Sequence, residues 1–368
     1  MKWIITSCAI FQLVVAVSAE PPGLQTLAMG AAAPDFKLPG VDGRDYALKD
    51  FADAKILVVI FTCNHCPTAQ AYEDRIIKLA TDYKDKGVIV VAISPNDPRA
   101  VRLDELGYTD LGDSFEEMKL RAKKKKFPFP YLYDGDTQKT GLAYGVLATP
   151  HVFIFDSARK LRYVGRIDDS EVKTVKSHDA RNAIDALLGR KPVPVEKTRV
   201  FGCSTKWAEK QEDAKQALAK WDAEPVTLSP LDEADLAKLV KNDTKKLLLV
   251  NVWATWCGPC VAELPEFVTM NRMYRRRPFQ LVTISLDAPD KDEATLKVLR
   301  EKHVSATNYR AAIKDRDRFA DLLDKDWPGP VPYTLLIAPG GKVLYRKSGS
   351  AEPLAVKQAI VGYLGRTY

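Results

Sequence analysis

The sequence predicts an α/β protein made of two similar units in series, each a central mixed β-sheet flanked by helices. Three observations predict it. A continuous apolar run, Ile56 to Phe61, and a second strand-like stretch, Leu247 to Val252, are each followed by a Cys-x-x-Cys pair and a helical stretch. A second apolar run comes next in each half, Val88 to Ile93 and Phe279 to Ile284. Strands that alternate with helices in this way need crossover connections, and those make parallel sheets. Each half then has an X-Pro step, Thr149-Pro150 or Val331-Pro332, ahead of an apolar strand and a hairpin turn. The hairpin adds antiparallel strands, so the sheets are mixed.

Element by element, Ile56 to Phe61 lacks polar alternation, which suits a strand covered on both faces. Ile76, Leu79 and Tyr83 fall at helical spacing within Ala69 to Tyr83, and Gly87 closes that helix. Val152 to Phe155, the turn Asp156 to Arg159 and Leu161 to Val164 form a hairpin, and a helix from about Ser177 to Leu188 ends at Gly189. Downstream, a helix runs from Cys257 to about Met273. Tyr333 to Ile337 turns through Pro339-Gly340-Gly341 into Val343 to Arg346, and Leu354 to Leu364 is the last helix. Pro192 and Pro194 mark the exit from the first unit, and Ala208 to Ala223 reads as a polar helix. The expected organisation is a signal peptide over 1–19, a first unit over 20–200, a linker over 201–222 and a second unit over 223–368.

A chain of 368 residues fits two domains. The net charge of +7 is spread along it. The dense runs, Lys123 to Lys126 and Arg275 to Arg277, read as solvated helix ends, so no nucleic-acid partner is expected. Lys2, the apolar stretch Ile4 to Val17 and the small Ala19 describe a secretory signal cleaved near Glu20. The stretch is shorter than the about 20 residues of a membrane span. The chain is therefore expected in the periplasm or another extracytoplasmic space, peripheral to the membrane at most, with an uncleaved anchor as the alternative. Of six cysteines, Cys8 lies in the signal. Cys63, Cys66, Cys257 and Cys260 form two local pairs and Cys203 stands alone, which is a redox pattern rather than a structural framework.

A cysteine at the first turn of a helix faces unpaired backbone N–H groups and the positive end of the helix dipole, both of which stabilise a thiolate. Cys257 would attack a substrate disulfide, and the more buried Cys260 would resolve the mixed disulfide. Pro259 suits the first helical turn, where its missing N–H costs nothing. The string Trp253-Ala254-Thr255-Trp256-Cys257-Gly258-Pro259-Cys260 closely resembles the active site of thioredoxin. The resemblance implies a thioredoxin-like fold, a cis-proline at Pro332 facing the cysteines, and a helix kink at Pro265. Asn251 departs from it, because thioredoxin has a proton-transferring aspartate there. Glu263 stands where the extracytoplasmic reductases of cytochrome maturation carry a glutamate, and that similarity makes it the proton acceptor for Cys260. No nearby Cys or His pair completes four ligands, so no metal is expected here.

The first pair lies in Phe61-Thr62-Cys63-Asn64-His65-Cys66-Pro67-Thr68. With Ala33-Pro34-Asp35-Phe36, Ser94-Pro95-Asn96-Asp97-Pro98 and Gly202-Cys203-Ser204-Thr205-Lys206-Trp207, it resembles the redoxin branch that includes peroxiredoxins, over roughly residues 30 to 207. More closely it is similar to a bacterial thioredoxin-family group with a Cys-Asn-His-Cys-Pro site. Members of that group often have a cysteine before Thr-Pro, where this chain has Ala148. Pro150 is the expected cis-proline of this unit. Two registers stay open. The preferred one aligns Cys63 with Cys257, making an ordinary dithiol and placing Ala69 at the position of Glu263. The other aligns Cys66 with Cys257 without a gap and puts Cys66 at the peroxide-attacking position, with Cys63 as resolver. His65 is expected to stabilise the Cys63 thiolate, favour the reduced form and make this site the better oxidant. His151 reads as packing. Cys203 is either an idle thiol or a resolving partner for Cys63 or Cys66. His65 with two cysteines also forms a donor set for copper.

The function expected is an exported thiol-disulfide oxidoreductase working through both pairs, without an organic cofactor. Its partners would be protein or small-molecule thiols and disulfides and an upstream membrane or periplasmic thiol reductant. The alternatives are a thiol peroxidase at Cys66 with the second unit as reductant, and a copper-binding assembly factor. An internal relay would carry electrons from Cys257/Cys260 to Cys63/Cys66, raised by tethering. Redox-buffer titration of each pair, with the other replaced by serine, is expected to give the first pair the higher reduction potential; equal potentials would remove the relay's driving force.

Overall fold

The computed structural model describes residues 21–368, and the expected signal peptide over 1–19 lies outside them. The first unit runs β1 (Ile56–Phe61), α1 (Pro67–Tyr83), β2 (Val88–Ser94), β3 (Tyr131–Tyr133), β4 (His151–Phe155), β5 (Leu161–Gly165) and α2 (Asp179–Leu188). Its five-stranded sheet has the order β3-β2-β1-β4-β5. β1, β2 and β3 are parallel, and β4 and β5 are antiparallel to their neighbours. β1 is apolar throughout because both its faces are covered. Ile56, Val58 and Ile60 pack with Tyr72 and Ile76 of α1, while Leu57, Val59 and Phe61 join the opposite core with Tyr144 and Trp207.

After α3 (Gln211–Asp222), the second unit runs β6 (Ser229–Leu231), β7 (Leu247–Trp253), α4 (Gly258–Tyr274), β8 (Phe279–Ser285), β9 (Thr307–Ala311), β10 (Tyr333–Ile337), β11 (Val343–Ser348) and α5 (Pro353–Leu364). Its sheet order is β6-β9-β8-β7-β10-β11, again with parallel strands on one side of the first long strand and an antiparallel hairpin on the other. The two units superpose in sequence without a gap through their centres. Pro67–Tyr83 answers to Gly258–Tyr274 and Val88–Ser94 to Phe279–Ser285, residue for residue. Strands not anticipated include the short edge strands β3 and β6 and the half-buried β9 between β6 and β8, where three residues or a mostly half-buried pattern leave little periodic signal.

The stretch 201–222, expected as a linker, is folded. Cys203–Ser204 pairs antiparallel with Ala148–Thr149, and the Lys206 backbone donates its N–H to the Asn96 side-chain Oδ1 and accepts from Asp97 N, at 2.9 Å each. Trp207, 1% exposed, fills the core behind β1. Gly202 makes this approach possible: its φ is +142°, and a Cβ there would stand 2.0 Å from the Thr149 carbonyl oxygen. α3 then bridges the units, with Gln211 donating to Asp97 and Asp222 pairing with Arg272.

The end of α4 makes the rest of the seam. Tyr274 Oη donates to Thr109 O (3.0 Å), Arg277 donates to Gly107 O (2.8 Å) and lies over the Tyr108 ring, and Arg276 pairs with Asp104. Arg366 reaches back to Asp110, and the Tyr368 ring packs on Tyr108. Among the described residues, no helix is long and apolar enough to cross a membrane.

Because Trp207 fills the first core from beyond the expected boundary, Trp207→Ala should destabilise that unit by about 3–5 kcal/mol. Urea unfolding followed by a reporter in the first sheet checks it, and a loss under about 1 kcal/mol would show the segment to be an appendage rather than part of the core.

Candidate active site

In the second unit Cys257 is the N-cap of α4, and its sulfur accepts the Cys260 N–H at 3.3 Å. Cys257 and Cys260 are joined as a disulfide, with Cys260 fully buried. Val331-Pro332 is cis. Trp256, next to the outer cysteine, is 68% exposed, which leaves an aromatic face for a docking chain. Glu263, one helical turn on, accepts from Asn251 Nδ2 (3.0 Å) and Ala351 N (2.9 Å). Burial pushes its carboxyl above the usual range, and those two bonds offset only part of the push. Asn251 Oδ1 is buried and finds no partner among the described residues. Asn251, where thioredoxin has its aspartate, is thus tied directly to the carboxylate expected to replace that residue.

In the first unit the N-cap of α1 is Cys66, not Cys63. Its sulfur accepts the Ala69 N–H (3.4 Å) and donates to Thr149 O (3.3 Å). Cys63 lies in the preceding loop, with its sulfur 3.1 Å from Thr149 Oγ1. The preferred alignment of Cys63 with Cys257 therefore gives way to the gapless one, because Cys66 holds the helix position. Ala69 then answers to Cys260 and Tyr72 to Glu263; the Tyr72 hydroxyl donates to Asp168. Thr149-Pro150 is cis. Cys203 stands directly across the ladder from Thr149 and packs on the cluster of Cys63, Cys66 and Ala69. All three thiols of the unit thus gather around one threonine.

A carboxylate absent from the sequence reading organises this loop. Buried Asp113 accepts the backbone N–H groups of Asn64 (2.9 Å) and His65 (3.0 Å), His65 Nδ1 (2.5 Å) and Asn96 Nδ2 (2.7 Å). Burial pushes Asp113 up, but His65, Asn96 and the loop N–H groups hold it below the usual carboxylate range. Burial pulls the His65 imidazole down, and the Asp113 charge and hydrogen bond more than reverse that. Leu111-Gly112-Asp113-Ser114 matches no motif in the sequence that would single out the carboxylate.

The thiols divide accordingly. Burial pushes Cys66 up, but the Cys203 and Cys63 thiols, the His65 charge and the Ala69 N–H together hold it well below the ordinary thiol value. Burial, the bond to Cys66 and the Asp113 charge push Cys63 well up. The bond to Cys66, then burial, do the same to Cys203. His65 was expected to stabilise Cys63; its charge acts on Cys66 instead, because Asp113 holds the ring and itself opposes ionisation of Cys63. His151 is buried against Phe153, and burial pulls its imidazole down to about 3, as a packing residue.

Cys63, His65 and Asp113 also bring one potential metal-ligand atom each within 4.8 Å of one another. Beside them a cavity of about 410 Å³ opens at the seam, lined by His65, Cys203, Lys206, Arg276, Arg277 and Tyr368 among others. Cys63 and Cys66 are 3% and 0% exposed, while Cys203 is half-buried. The second dithiol is remote from this place. It sits at the opening of α4, whose other end meets the seam after 17 residues, about 25 Å of helix.

A profile of the AhpC/TSA family matches the chain twice, over residues 29–164 and 222–346. The thiol-disulfide oxidoreductase ResA of Oceanobacillus iheyensis is 26% identical over 113 residues, covering 30% of this chain and 55% of that protein. The thiol:disulfide interchange protein DsbE of Yersinia pestis is 27% identical over 146 residues, covering 39% of this chain and 67% of that protein. The chain thus spans about half to two thirds of the length of these relatives. An uncharacterized conserved protein of Geobacillus kaustophilus is 40% identical, covering 49% of this chain and 92% of that one, with a TM-score of 0.44.

If Asp113 sets the charge of His65, and His65 that of Cys66, then Asp113→Asn should raise the Cys66 thiol pKa by about one unit or more. Thiolate absorbance near 240 nm against pH reads it, and an unmoved midpoint would remove Asp113 and His65 from control of this sulfur.

Proposed function

The chain belongs to the AhpC/TSA family, and from that premise we propose that it is a thiol-disulfide oxidoreductase of the extracytoplasmic space, exchanging electrons with protein or small-molecule thiols and disulfides. One observation carries the reading: each unit caps the helix after its first long strand with a cysteine sulfur that accepts an N–H three residues on. A sulfur so placed is stabilised as a thiolate by the helix end, which both activates it as nucleophile and favours it as leaving group.

In the second unit the reduced Cys257 thiolate attacks a substrate disulfide and releases one thiolate. Cys260 then attacks Cys257 Sγ, the second substrate thiolate leaves, and the Cys257–Cys260 bond re-forms. Glu263, already shifted up by burial, takes the Cys260 proton. An upstream thiol reductant restores the dithiol. Export rests on the Lys2, Ile4–Val17 and Ala19 pattern.

A second reading, thiol peroxidase at Cys66, is favoured by the gapless register and by the low-lying Cys66 thiol. In either reading, the tethered relay from Cys257/Cys260 needs the units to part or a diffusible carrier, because exchange demands sulfurs in bonding contact and α4 separates the sites. The copper alternative, His65 with the two cysteines, meets a cluster of Cys63, His65 and Asp113 instead, in which a carboxylate replaces the second thiol; a Cu(I) titration that yields no thiolate charge-transfer band would dismiss it.

Cys257→Ser should lower disulfide reductase activity on insulin, driven by dithiothreitol, by about 100-fold or more, while Glu263→Gln should cost about 10-fold and flatten the rise of rate with pH. Peroxide consumption that survives Cys66→Ser unchanged would end the peroxidase reading, and insulin reduction that survives Cys257→Ser would end the main one.

A further inference from the structure

Three facts about the first unit belong together. Its two motif cysteines are buried, Cys66 completely. Cys203 packs on Cys66 and is held there by the ladder through Thr149. Cys203, not Cys63 or Cys66, lines the cavity of about 410 Å³ at the seam, where the Tyr368 hydroxyl also meets it. A reagent that comes from solvent therefore meets Cys203 first.

We propose that the working disulfide of the first unit is Cys66–Cys203, and that Cys203 is the sulfur that exchanges with a low-molecular-weight thiol or disulfide entering the seam cavity. The inference rests on the redox reading of this unit and adds the pairing, the point of entry and the class of substrate. The cavity volume suits a small molecule and excludes a folded protein. Arg277 on its wall, bonded only to backbone carbonyls, keeps a positive charge that suits a thiol carrying a carboxylate, while Lys206 and Arg276 are paired with Glu105 and Asp104, which line the cavity too.

The exchange balances as follows. A small thiolate attacks Cys203 Sγ of the Cys66–Cys203 bond. A Cys203 mixed disulfide forms, and Cys66 leaves as a thiolate. Cys66 is the better leaving group because its sulfur caps α1 and accepts the Ala69 N–H at the positive end of the helix. A second small thiolate attacks the small-molecule sulfur of the mixed disulfide and releases the symmetric disulfide. The Cys203 thiolate takes up a proton. Two small thiols are oxidised and one protein disulfide is reduced. The reverse sequence, with a small disulfide as electron acceptor, re-forms the Cys66–Cys203 bond.

The test uses the full chain with Cys257→Ser and Cys260→Ser, equilibrated in buffers of reduced and oxidised glutathione, acid-quenched, alkylated and mapped by mass spectrometry of non-reduced digests. The expected dominant link in oxidising buffer is Cys66–Cys203, with Cys63 alkylated. Adding Cys66→Ser should accumulate glutathione on Cys203. Adding Cys203→Ser should slow exchange with glutathione by about tenfold or more, while hydrogen peroxide, small enough to reach the buried pair, still links Cys63 to Cys66. A dominant Cys63–Cys66 link with Cys203 free, or unchanged exchange in both Cys203→Ser and Cys203→Ala, would overturn the proposal and leave the redox reading standing. No link among the three thiols in any oxidising buffer would overturn both.

Discussion

The Asp113 carboxylate is the constraint on which the first site depends. It is buried, and a buried charge without partners would be costly enough to neutralise itself. Four donors from two segments keep it ionised: two loop N–H groups and the His65 ring of that loop, and the Asn96 amide. In satisfying that charge the chain fixes the loop between β1 and α1, turns His65 toward the sulfurs and keeps Cys63 protonated. The negative charge that suppresses one thiol is thus, through the imidazole it holds, what permits ionisation of its neighbour.

Much of this architecture was legible in the sequence because it is written in contiguous residues. β1 shows as an unbroken apolar run, and β7 as one broken only by Asn251, since both faces are covered, and Thr149-Pro150 and Val331-Pro332 announce the start of the hairpin strand. Trp253 to Cys260 named its own chemistry. What escaped depends on contacts between distant segments. Asp113 is unremarkable in its own stretch and becomes decisive only when folded under His65. Cys203 and Trp207 follow a proline-rich exit that looks like the end of a domain, and only the pairing with Ala148–Thr149 returns them to it. The register of the first pair was misjudged because Cys-x-x-Cys spacing invites alignment of first cysteine with first cysteine. The strand and helix lengths, equal in the two units, decide for Cys66.

The two units therefore use one scaffold for different ends. At the helix cap the sulfur environment is similar, but the position one turn into the helix differs. In the second unit Cys260 is there, and the buried pair closes on itself beside the exposed Trp256. In the first unit Ala69 is there, and the partners of the cap cysteine must come from outside the helix, from the loop before it and the strand across from Thr149. Replacing the inner cysteine by alanine thus moves the redox partner off the helix and opens the site to control by whatever holds that outer strand.

α4 sets one sulfur centre at its beginning and carries the seam of the other at its end. Disulfide exchange is a contact reaction and does not tunnel along a helix, so this rod behaves as an insulator between two couples. On the proposed function, each unit keeps its own state of charge against a different pool, and one polypeptide serves two redox circuits without shorting them.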